Sequence, residues 1–323
     1  MDGTGPGTPA LTGRVVVTTR SFGSGDADPE GLLTAAGLEV VRADPGHDPT
    51  ALAGPLAGAV AWIAGVGPIG AAQLDLAPDL RVVARYGVGV DAVDHAELAR
   101  RGVVLTNTPD ANAATVADFA VLLMLAAARQ LPTSLGGTMP PALASRELGQ
   151  LTVGVVGFGR IGRAVARRLA GFGAQVLAND PVLDPGAALP DGLAGEAVAL
   201  DDLAARCDVL TLHAPALGRP VVDAALLSRV RPGLVLVNAA RAELVDDGAL
   251  ASALADGRVA IAVLDAHDVG PGSPLAGRPD VLLTPHVAGQ SRDSVDRMGM
   301  GAAEEVLRVL RGEAPLHPVP TAG

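Results

Sequence analysis

Residues 153–162, which read V-G-V-V-G-F-G-R-I-G, constrain the fold of this chain more than any other stretch. An apolar, β-branched run ends in the pattern G-x-G-x-x-G, and a helical pattern follows it. Gly157 lets the chain turn tightly out of the strand, Gly159 lets the backbone approach a pyrophosphate, and Gly162 lets helix and strand pack closely. The start of the helix offers N–H groups and a positive dipole end to phosphates. The stretch therefore predicts a dinucleotide-binding turn.

A second strand and an acidic residue strengthen this prediction. Residues 175–179 form a strand pattern, and Asp180 follows at the place where a carboxylate would bind the ribose diol of an adenosine. The glycine pattern alone is weak evidence. The order strand, helix, strand and terminal aspartate is much more specific.

The glycine pattern also occurs a second time, at residues 65–70, which read G-V-G-P-I-G after another apolar run. Pro68 removes an N–H group from the loop that would hold phosphate. Pro78 disfavours helical backbone at Ala77, so the helix that follows the loop is predicted to be short. We therefore interpret this copy as an ordinary strand-to-helix turn.

Composition and charge exclude several classes of protein. A chain of 323 residues with 49% hydrophobic and 18% charged residues is typical of a globular protein, here predicted to have two domains. The formal net charge of −11 argues against nucleic acid or an anionic membrane as a partner. The chain contains no lysine, which excludes Schiff-base chemistry on a lysine side chain and a P-loop lysine.

Cysteine, histidine and apolar patterns bear on compartment and metal binding. Cys207 is the only cysteine, which predicts no internal disulfide, a reducing compartment and a buried, inert thiol. The six histidines form no metal-binding cluster, so no metal is predicted. The first 13 residues resemble no signal peptide, and the apolar run 119–128 is too short to span a bilayer and predicts a buried helix. We expect a cytoplasmic protein.

Alternating strand and helix patterns predict an α/β fold with parallel sheets. In the first part of the chain we predict strands 14–18, 38–42, 59–64, 80–85 and 103–106 and helices 29–36, 71–76 and 93–100. A helix from about 114 to 129 leaves this part, and residues 130–150 form a connection. In the second part we predict six strands, at 152–156, 175–178, 209–213, 234–238, 260–264 and 281–284. A final amphipathic helix covers 291–310.

Polar side chains that directly follow these strands are the candidates for chemistry, because open parallel sheets bind ligands beyond the carboxyl ends of their strands. Arg241 follows the fourth strand of the second part; its guanidinium would hold a carboxylate through two parallel hydrogen bonds and polarise an adjacent carbonyl. The alternative is a surface arginine that caps the next helix. His286 follows the last strand and would transfer a proton near neutral pH, the alternative being a structural histidine.

Two further strand-end residues are candidates for cofactor contacts. His213, with Pro215, is predicted to lie at the edge of the cofactor. Asp265 is predicted either to orient the carboxamide of the cofactor or to cap a helix or a turn. The remaining histidines are interpreted as structural or solvent-facing, namely His47, His95, His267 and His317.

In this order, these residues resemble the D-isomer-specific 2-hydroxyacid dehydrogenase family over residues 15–319. The motifs that carry the resemblance are 86–91 (Y-G-V-G-V-D) with 93–94, 106–109 (T-N-T-P), 115–118 (T-V-A-D), 157–162 (G-F-G-R-I-G), 238–241 (N-A-A-R), 264–265 (L-D), 284–289 (T-P-H-V-A-G) and 310–315 (L-R-G-E-A-P). The resemblance implies two Rossmann- or flavodoxin-like domains with doubly wound parallel sheets, separated by a cleft. The substrate domain would comprise residues 1–109 and 291–323, and the NAD-binding domain residues 110–290.

The resemblance also implies the chemistry. NADH would deliver a hydride to a small 2-oxo acid, Arg241 would bind the carboxylate, and His286 would protonate the carbonyl oxygen. The N–H groups of Val88 and Gly89 would help to bind the carboxylate, and a homodimer is expected. Asp180 favours NAD over NADP, because its charge would repel a 2′-phosphate. The residues expected to bind the cofactor are Gly157, Gly159, Arg160, Ile161, Gly162, Asp180, His213, Pro215, Ala239, Ala240, Asp265 and Gly289.

The chain departs from the family pattern in three places. Family members usually have a glutamate that pairs with the histidine, but Gly270 stands in that position, and Asp268 is the nearest possible substitute. Without this partner His286 would donate a proton less readily at neutral pH, which predicts an acid-shifted optimum for reduction or slow turnover. The loop 214–222 is short and lacks the usual threonine. The segment 130–150, through which relatives dimerise, is also short and lacks the usual tryptophan.

Gly270 keeps two other interpretations open. Oxidation of a formate-like acid needs hydride release but no general acid, so the missing glutamate would matter less. The other is a catalytically impaired NAD(H)-binding sensor, which would need neither hydride transfer nor a general acid. Arg241 and His286 favour an enzyme over a sensor.

Overall fold

The computed structural model describes residues 11–131, 145–265, 267 and 269–321. The chain divides into two compact units. Unit 1 comprises Met1–Asn112 and Gln290–Gly323, and unit 2 comprises Ala113–Gly289. Each unit is built around its own parallel sheet.

Unit 1 contains a five-stranded sheet in the order β2-β1-β3-β4-β5, in which every pairing is parallel. Its strands are β1 (Arg14–Val17), β2 (Glu39–Arg42), β3 (Ala59–Ala64), β4 (Val82–Arg85) and β5 (Val104–Thr106). The helices that accompany them are α1 (Pro29–Ala35), α2 (Pro49–Leu56), α3 (Ala71–Leu74) and α4 (His95–Arg101). This order is that of flavodoxin-like folds.

Local sequence explains where these helices start. Asp28 and Asp48 each cap a helix through their carboxylates, and a proline follows each of them at the first helical position. The sequence analysis did not predict α2, because Pro55 within it obscured the helical pattern. Helix α3 is short, as predicted.

Unit 2 contains a seven-stranded parallel sheet in the order β12-β11-β10-β9-β6-β7-β8. Its strands are β6 (Thr152–Val156), β7 (Gln175–Asn179), β8 (Glu196–Ala197), β9 (Val209–Leu212), β10 (Leu234–Asn238), β11 (Val259–Leu264) and β12 (Val281–Leu283). Its helices are α5 (Ala113–Ala128), α6 (Arg160–Phe172), α7 (Leu200–Arg206), α8 (Ala224–Leu227) and α9 (Asp247–Ala255). The last helix of the chain, α10 (Arg292–Leu310), belongs to unit 1.

The predicted fold class of two doubly wound α/β sheets is confirmed, but the prediction of six strands in the second sheet is wrong. The strand missed is β8, which pairs with β7 over two residues and is too short to give an alternating pattern. The apolar run 119–128 lies within α5, whose buried side chains include Val121 and Met124, so the predicted buried helix is confirmed.

In each sheet, new strands are first added on one side of the first strand and then on its other side. In unit 1 the chain passes from β1 to β2 on one side and then to β3 on the other, and in unit 2 it does the same with β6, β7 and β9. The carboxyl ends of the two strands that flank such a switch point form the usual ligand crevice of an open parallel sheet. Among the described residues, no helix is both long and apolar enough to cross a membrane.

Candidate active site

The glycine turn between β6 and α6 has the geometry expected of a phosphate-binding loop. Gly157 has a φ of +86°, and a Cβ there would lie 2.6 Å from the backbone nitrogen of Ala214. A Cβ on Gly162 would collide with the carbonyl oxygen of Gly157. At Gly159, by contrast, a Cβ would meet nothing within 4 Å. The loop is thus closely packed at its first and third glycines and open at its second, which leaves room for a pyrophosphate.

The helix start and Asp180 complete this cradle. Gly159 is the N-cap of α6 and offers no side chain to the first N–H groups of the helix, which begins with Arg160 and Ile161. The carboxylate of Asp180 accepts hydrogen bonds from the N–H of Phe158 at 2.7 Å and from that of Val182 at 3.1 Å. The aspartate is therefore fixed against the glycine loop, where a dinucleotide would place its ribose.

His213 lies directly across the switch point from the glycine loop. Its N–H donates to the carbonyl of Val156 at 2.7 Å, and its Nε2 lies 3.0 Å from Oγ1 of Thr211. Its Nδ1 is buried and has no hydrogen-bond partner in the part of the chain that is described. Burial lowers the pKa of His213 to about 4, so the ring is neutral at physiological pH. An unsatisfied nitrogen here fits a ligand that supplies the missing partner.

The turn after β10 is clamped by Asn238. This buried side chain accepts from the N–H of Ala240 at 3.0 Å and donates to the carbonyl of Arg241 at 2.7 Å. The guanidinium of Arg241 donates to the carbonyl of Ala240 at 2.8 Å. Ala239 is partly exposed and Ala240 is buried, so the turn presents small side chains.

The loop after β12 is held by Asp265, which is 1% exposed. Its carboxylate accepts from the hydroxyl of Thr284 at 2.6 Å and from the N–H groups of Val287 and Ala288, both at 2.9 Å. Of the two roles predicted for Asp265, these contacts are those of a turn cap. Sequence reasoning did not foresee that this one carboxylate would fix the loop carrying His286.

His286 itself has a left-handed backbone, with a φ of +55°. Its N–H donates to the carbonyls of Asp265 and Thr284. Its side chain is exposed, and no group among the described residues pairs with the ring. Gly270 is described and supplies no side chain, whereas Asp268, the predicted substitute, lies outside the described residues.

Asn238 and Asp265 are joined to each other, since the N–H of Asp265 donates to the carbonyl of Asn238 at 2.8 Å. One residue holds the turn with Arg241 and the other holds the loop with His286. The turn with Arg241, after β10, and the loop with His286, after β12, are therefore connected through one chain of hydrogen bonds at the end of β11. A guanidinium and an imidazole are suited to binding a carboxylate and transferring a proton.

In unit 1, residues 86–91 follow β4 and are held by three side chains that the sequence analysis missed. Arg85, which is 5% exposed, donates to the carbonyl of Gly89 at 2.9 Å, and Asn107 donates to that of Val88 at 2.9 Å. Thr108 accepts from the N–H of Gly87 at 3.0 Å. No described group accepts from the N–H of Val88 or Gly89. The sequence signals that mark this support are an arginine at the end of an apolar strand and the motif 106–109, which contains Asn107 and Thr108.

Two predicted cofactor-binding residues, Pro215 and Gly289, and the single cysteine remain to be described. Pro215 is exposed and Gly289 is partly exposed. Cys207 is a buried free cysteine, as predicted, and burial raises the pKa of its thiol to about 12. In the described ranges no group of three or more His, Cys, Asp or Glu could hold a metal ion.

Residues 120–288 match the family model described as "D-isomer specific 2-hydroxyacid dehydrogenase, NAD binding domain". A D-3-phosphoglycerate dehydrogenase of Mycobacterium tuberculosis is 40% identical over 254 residues, which are 76% of this chain and 48% of that protein. The chain thus spans about half the length of the phosphoglycerate dehydrogenases it matches. A glyoxylate reductase of Korarchaeum cryptofilum is 36% identical over 77% of this chain and 78% of its own length. Among solved structures, the TT0316 protein from Thermus thermophilus superposes with a TM-score of 0.82 at 33% identity, covering 95% of this chain and 99% of that one.

Proposed function

The chain belongs to the D-isomer-specific 2-hydroxyacid dehydrogenase family, and we propose that it is an oxidoreductase that transfers a hydride between NAD and a small 2-hydroxy or 2-oxo acid. The observation that carries this proposal is the joined support of Arg241 and His286 through Asn238 and Asp265. Unit 2 is the NAD-binding domain, and unit 1 is the substrate domain.

NADH, when bound, supplies the hydride. Arg241 binds the carboxylate of the acid, because a guanidinium offers two parallel donors, and its charge polarises the adjacent carbonyl. His286 donates a proton to the carbonyl oxygen during reduction and accepts it back during oxidation. In unit 1, the N–H groups of Val88 and Gly89 are the donors proposed for a carboxylate, since no described group accepts from them.

NAD is held by the glycine loop 157–162, the start of α6 and Asp180. Open space over Gly159 supports this placement, as does the fixed carboxylate of Asp180. His213 lies at the edge of the proposed cofactor site. The site is also lined by Pro215, Ala239, Ala240 and Gly289. Asp265 acts on the cofactor indirectly, through the loop 284–288 that it caps.

The test is to follow NADH absorbance with a panel of small 2-oxo acids. Arg241→Ala is expected to lower kcat/KM by roughly 10²–10⁴-fold, since each hydrogen bond to a charged group contributes about 1.5–3 kcal/mol. Arg229→Ala is the matched control, because this exposed arginine of the same unit pairs only loosely with Asp201, at 3.4 Å. Tight NADH binding without turnover of any acid would replace the proposal with an NAD(H) sensor.

Oxidation of a formate-like acid is the second candidate. The specific observation behind it is Gly270 in the usual glutamate position, together with the lack of a partner for the His286 ring among the described residues. Reduction of NAD by formate, combined with insensitivity to His286→Ala, would favour this candidate over the first.

We also propose a cytoplasmic homodimer. Two apolar side chains of unit 2, Leu122 and Phe172, are 52% and 46% exposed, and a second subunit would cover such side chains. Sedimentation at micromolar concentration tests the assembly, and a monomer would contradict it.

A further inference from the structure

A cavity of about 240 Å³ in unit 1 has no part in the function proposed above. It lies at the carboxyl ends of β1 and β2, between the loops that follow these two neighbouring strands. Because β2 and β3 flank β1 on opposite sides, the cavity is separate from the crevice at the switch point. Open parallel sheets bind ligands beyond the carboxyl ends of their strands. The residues that line the cavity are Val17, Thr19, Arg20, Arg42, Ala43 and Pro45.

The loop after β1 forms one wall of the cavity and carries unused hydrogen-bond donors. Arg20 is exposed, and its guanidinium has no hydrogen-bond or ion-pair partner among the residues that the structure describes. The backbone N–H groups of Thr19 and Arg20 likewise donate to no described group. The hydroxyl of Thr19 is a further possible donor. This wall therefore offers one positive charge and several donors to a ligand.

A second wall contains Arg42, the last residue of β2. Its Nη2 donates to the carbonyl of Phe22 at 2.9 Å and to the carboxylate of Glu30 at 2.8 Å. The guanidinium also lies over the buried ring of Phe22, with Cζ 5.8 Å from the ring centroid. Nε and Nη1 have no acceptor in the described part of the chain. The side chain is therefore held in place while two of its three nitrogens remain available.

The carboxylates near the cavity are engaged by other groups, and none of the lining residues is acidic. Glu30 neutralises part of the charge of the second wall. Asp44 accepts from an N–H group at the start of α2 at 3.1 Å. In the loop after β1, Asp26 pairs with Arg292, and Asp28 caps α1. The guanidinium of the first wall is therefore the uncompensated charge of the cavity.

The arrangement fits a phosphate group better than a carboxylate. A phosphomonoester has three acceptor oxygens and about −1.5 to −2 charge at pH 7, so it can accept from both guanidiniums and from loop N–H groups together. A planar carboxylate has two oxygens and matches a single guanidinium fork. In dinucleotide-binding folds, an arginine near the end of the second strand accommodates a 2′-phosphate, and Arg42 has that position in the sheet of unit 1. The loop 18–28 lacks the pattern G-x-G-x-x-G, so a pyrophosphate is not expected.

We propose that this cavity is a separate ligand site, within unit 1 alone, that binds the phosphate group of a small phosphomonoester or inorganic phosphate itself. Arg20 and Arg42 bind the phosphate from two walls, and the N–H groups of Thr19 and Arg20 add further donors. Val17 and Pro45 supply apolar contacts for the organic part of a monoester. The inference does not rest on the proposed function, because no residue of the cofactor or acid site takes part.

The test is a titration of the full chain, saturated with NADH so that the glycine loop of unit 2 is not available to the probe. Nitrogen NMR of the arginine side chains at pH 7 and constant ionic strength follows the addition of inorganic phosphate or of glycerol phosphate. The Nε signals of Arg20 and Arg42 are expected to shift with a Kd on the order of 1 mM, because both walls are open to water. The signal of Arg311 should not move. This exposed arginine of the same unit also has no described side-chain partner.

Three variants locate the site. Arg20→Gln should weaken binding of both probes about tenfold, because it removes the uncompensated charge. Arg311→Gln is the matched control and should leave binding unchanged. Glu30→Gln should strengthen binding about threefold, because it releases Arg42 from a competing carboxylate. A gain in affinity does not arise from partial unfolding, so this third variant separates ligand binding from a structural role of the two arginines.

Tighter binding of glycerol phosphate than of inorganic phosphate would support a monoester as the ligand, and equal binding would support the free ion. The proposal is overturned if the Arg20 signal does not shift up to about 50 mM of either probe, a concentration far above the expected Kd. Equal shifts with acetate at the same ionic strength would also overturn it, as would equal affinities of Arg20→Gln and Arg311→Gln or weaker binding by Glu30→Gln. Turnover of 2-oxo acids does not enter these measurements, so failure of the proposed function would leave their outcome unaffected.

Discussion

The two glycine turns of this protein share a pattern, G-x-G-x-x-G, and differ in what fills the space above the second glycine. Both follow a strand at the switch point of a parallel sheet. In both, the first glycine lies against the backbone that follows the opposite strand, which is Ala214 for Gly157 and Thr18 for Gly65. Above Gly159 the space is open, whereas above Gly67 it holds the ring of His47. The first glycine of the pattern is therefore required wherever two loops pass close to each other. Only the space above the second glycine distinguishes a ligand site from a packed turn.

The largest expected effect comes from adding one methyl group to each second glycine. Gly159→Ala should weaken NADH binding by on the order of 10²-fold with little change in stability, because its backbone is unstrained and its Cβ points into open space. Gly67→Ala should do the reverse: it should cost about 1–3 kcal/mol of folding free energy through the clash with His47 and leave NADH binding intact. Cofactor titration and thermal unfolding of both variants measure this. If the two variants changed NADH affinity and thermal stability to a similar extent, the proposed difference between the two turns would be wrong.

The sequence predicted that the two glycine turns differ, but it did not predict which side chains make them differ. Pro68 and Pro78 correctly favoured a turn over a phosphate site at residues 65–70. The reason that the turn is packed involves Thr18 and His47, which are remote in sequence and which no local pattern links to it. Periodicity shows which segments are strands, whereas side-chain partners depend on which strand ends become neighbours.

The same limit applies to the candidate site. Arg241 and His286 were predicted as site residues because both follow strands, and the structure has strands β10 and β12 before them. Their support by Asn238 and Asp265 was not predicted, since an asparagine and an aspartate at strand ends have many possible partners. Strand β8 was missed because a strand of two residues is too short to show an alternation of apolar and polar side chains. Helix α2 was missed because Pro55 interrupts its helical pattern. Sequence thus predicted which strands Arg241 and His286 follow, but not the hydrogen bonds that hold the turns carrying them.

Acidification should lower the folding stability of both units, because a buried histidine lies at the switch point of each sheet. Burial lowers the pKa of His213 to about 4 and also lowers that of His47. A histidine whose folded pKa lies below its unfolded value of about 6.5 stabilises the fold fully above about pH 6.5, and this contribution is lost as the pH falls toward the folded value. For His213 the loss between about pH 7.5 and about pH 5 is about 2 kcal/mol.

Denaturant unfolding at these two pH values tests the prediction in wild type and in His213→Gln. The variant should lose less stability on acidification, because it cannot take up the proton. His47→Asn serves as the counterpart in unit 1 and should reduce the acid sensitivity of that unit. If both variants keep the full acid sensitivity of the wild type, neither histidine is the group that titrates.

The smallest effect concerns the carboxyl ends of β2 and β7, the strands that follow the first strand of each sheet in the sequence. After β7, Asp180 accepts from the N–H of Phe158, whereas β2 ends with Arg42, whose guanidinium pairs with Glu30 at 2.8 Å. Asp180→Asn keeps an acceptor for that N–H group but removes the charge. The preference for NADH over NADPH should therefore fall roughly tenfold, since repulsion of the 2′-phosphate disappears while the loop stays in place. The ratio of kcat/KM for the two cofactors measures this change. An unchanged ratio would mean that the carboxylate only holds the glycine loop and does not face the ribose, and the difference between the two turns would then rest on Gly159 alone.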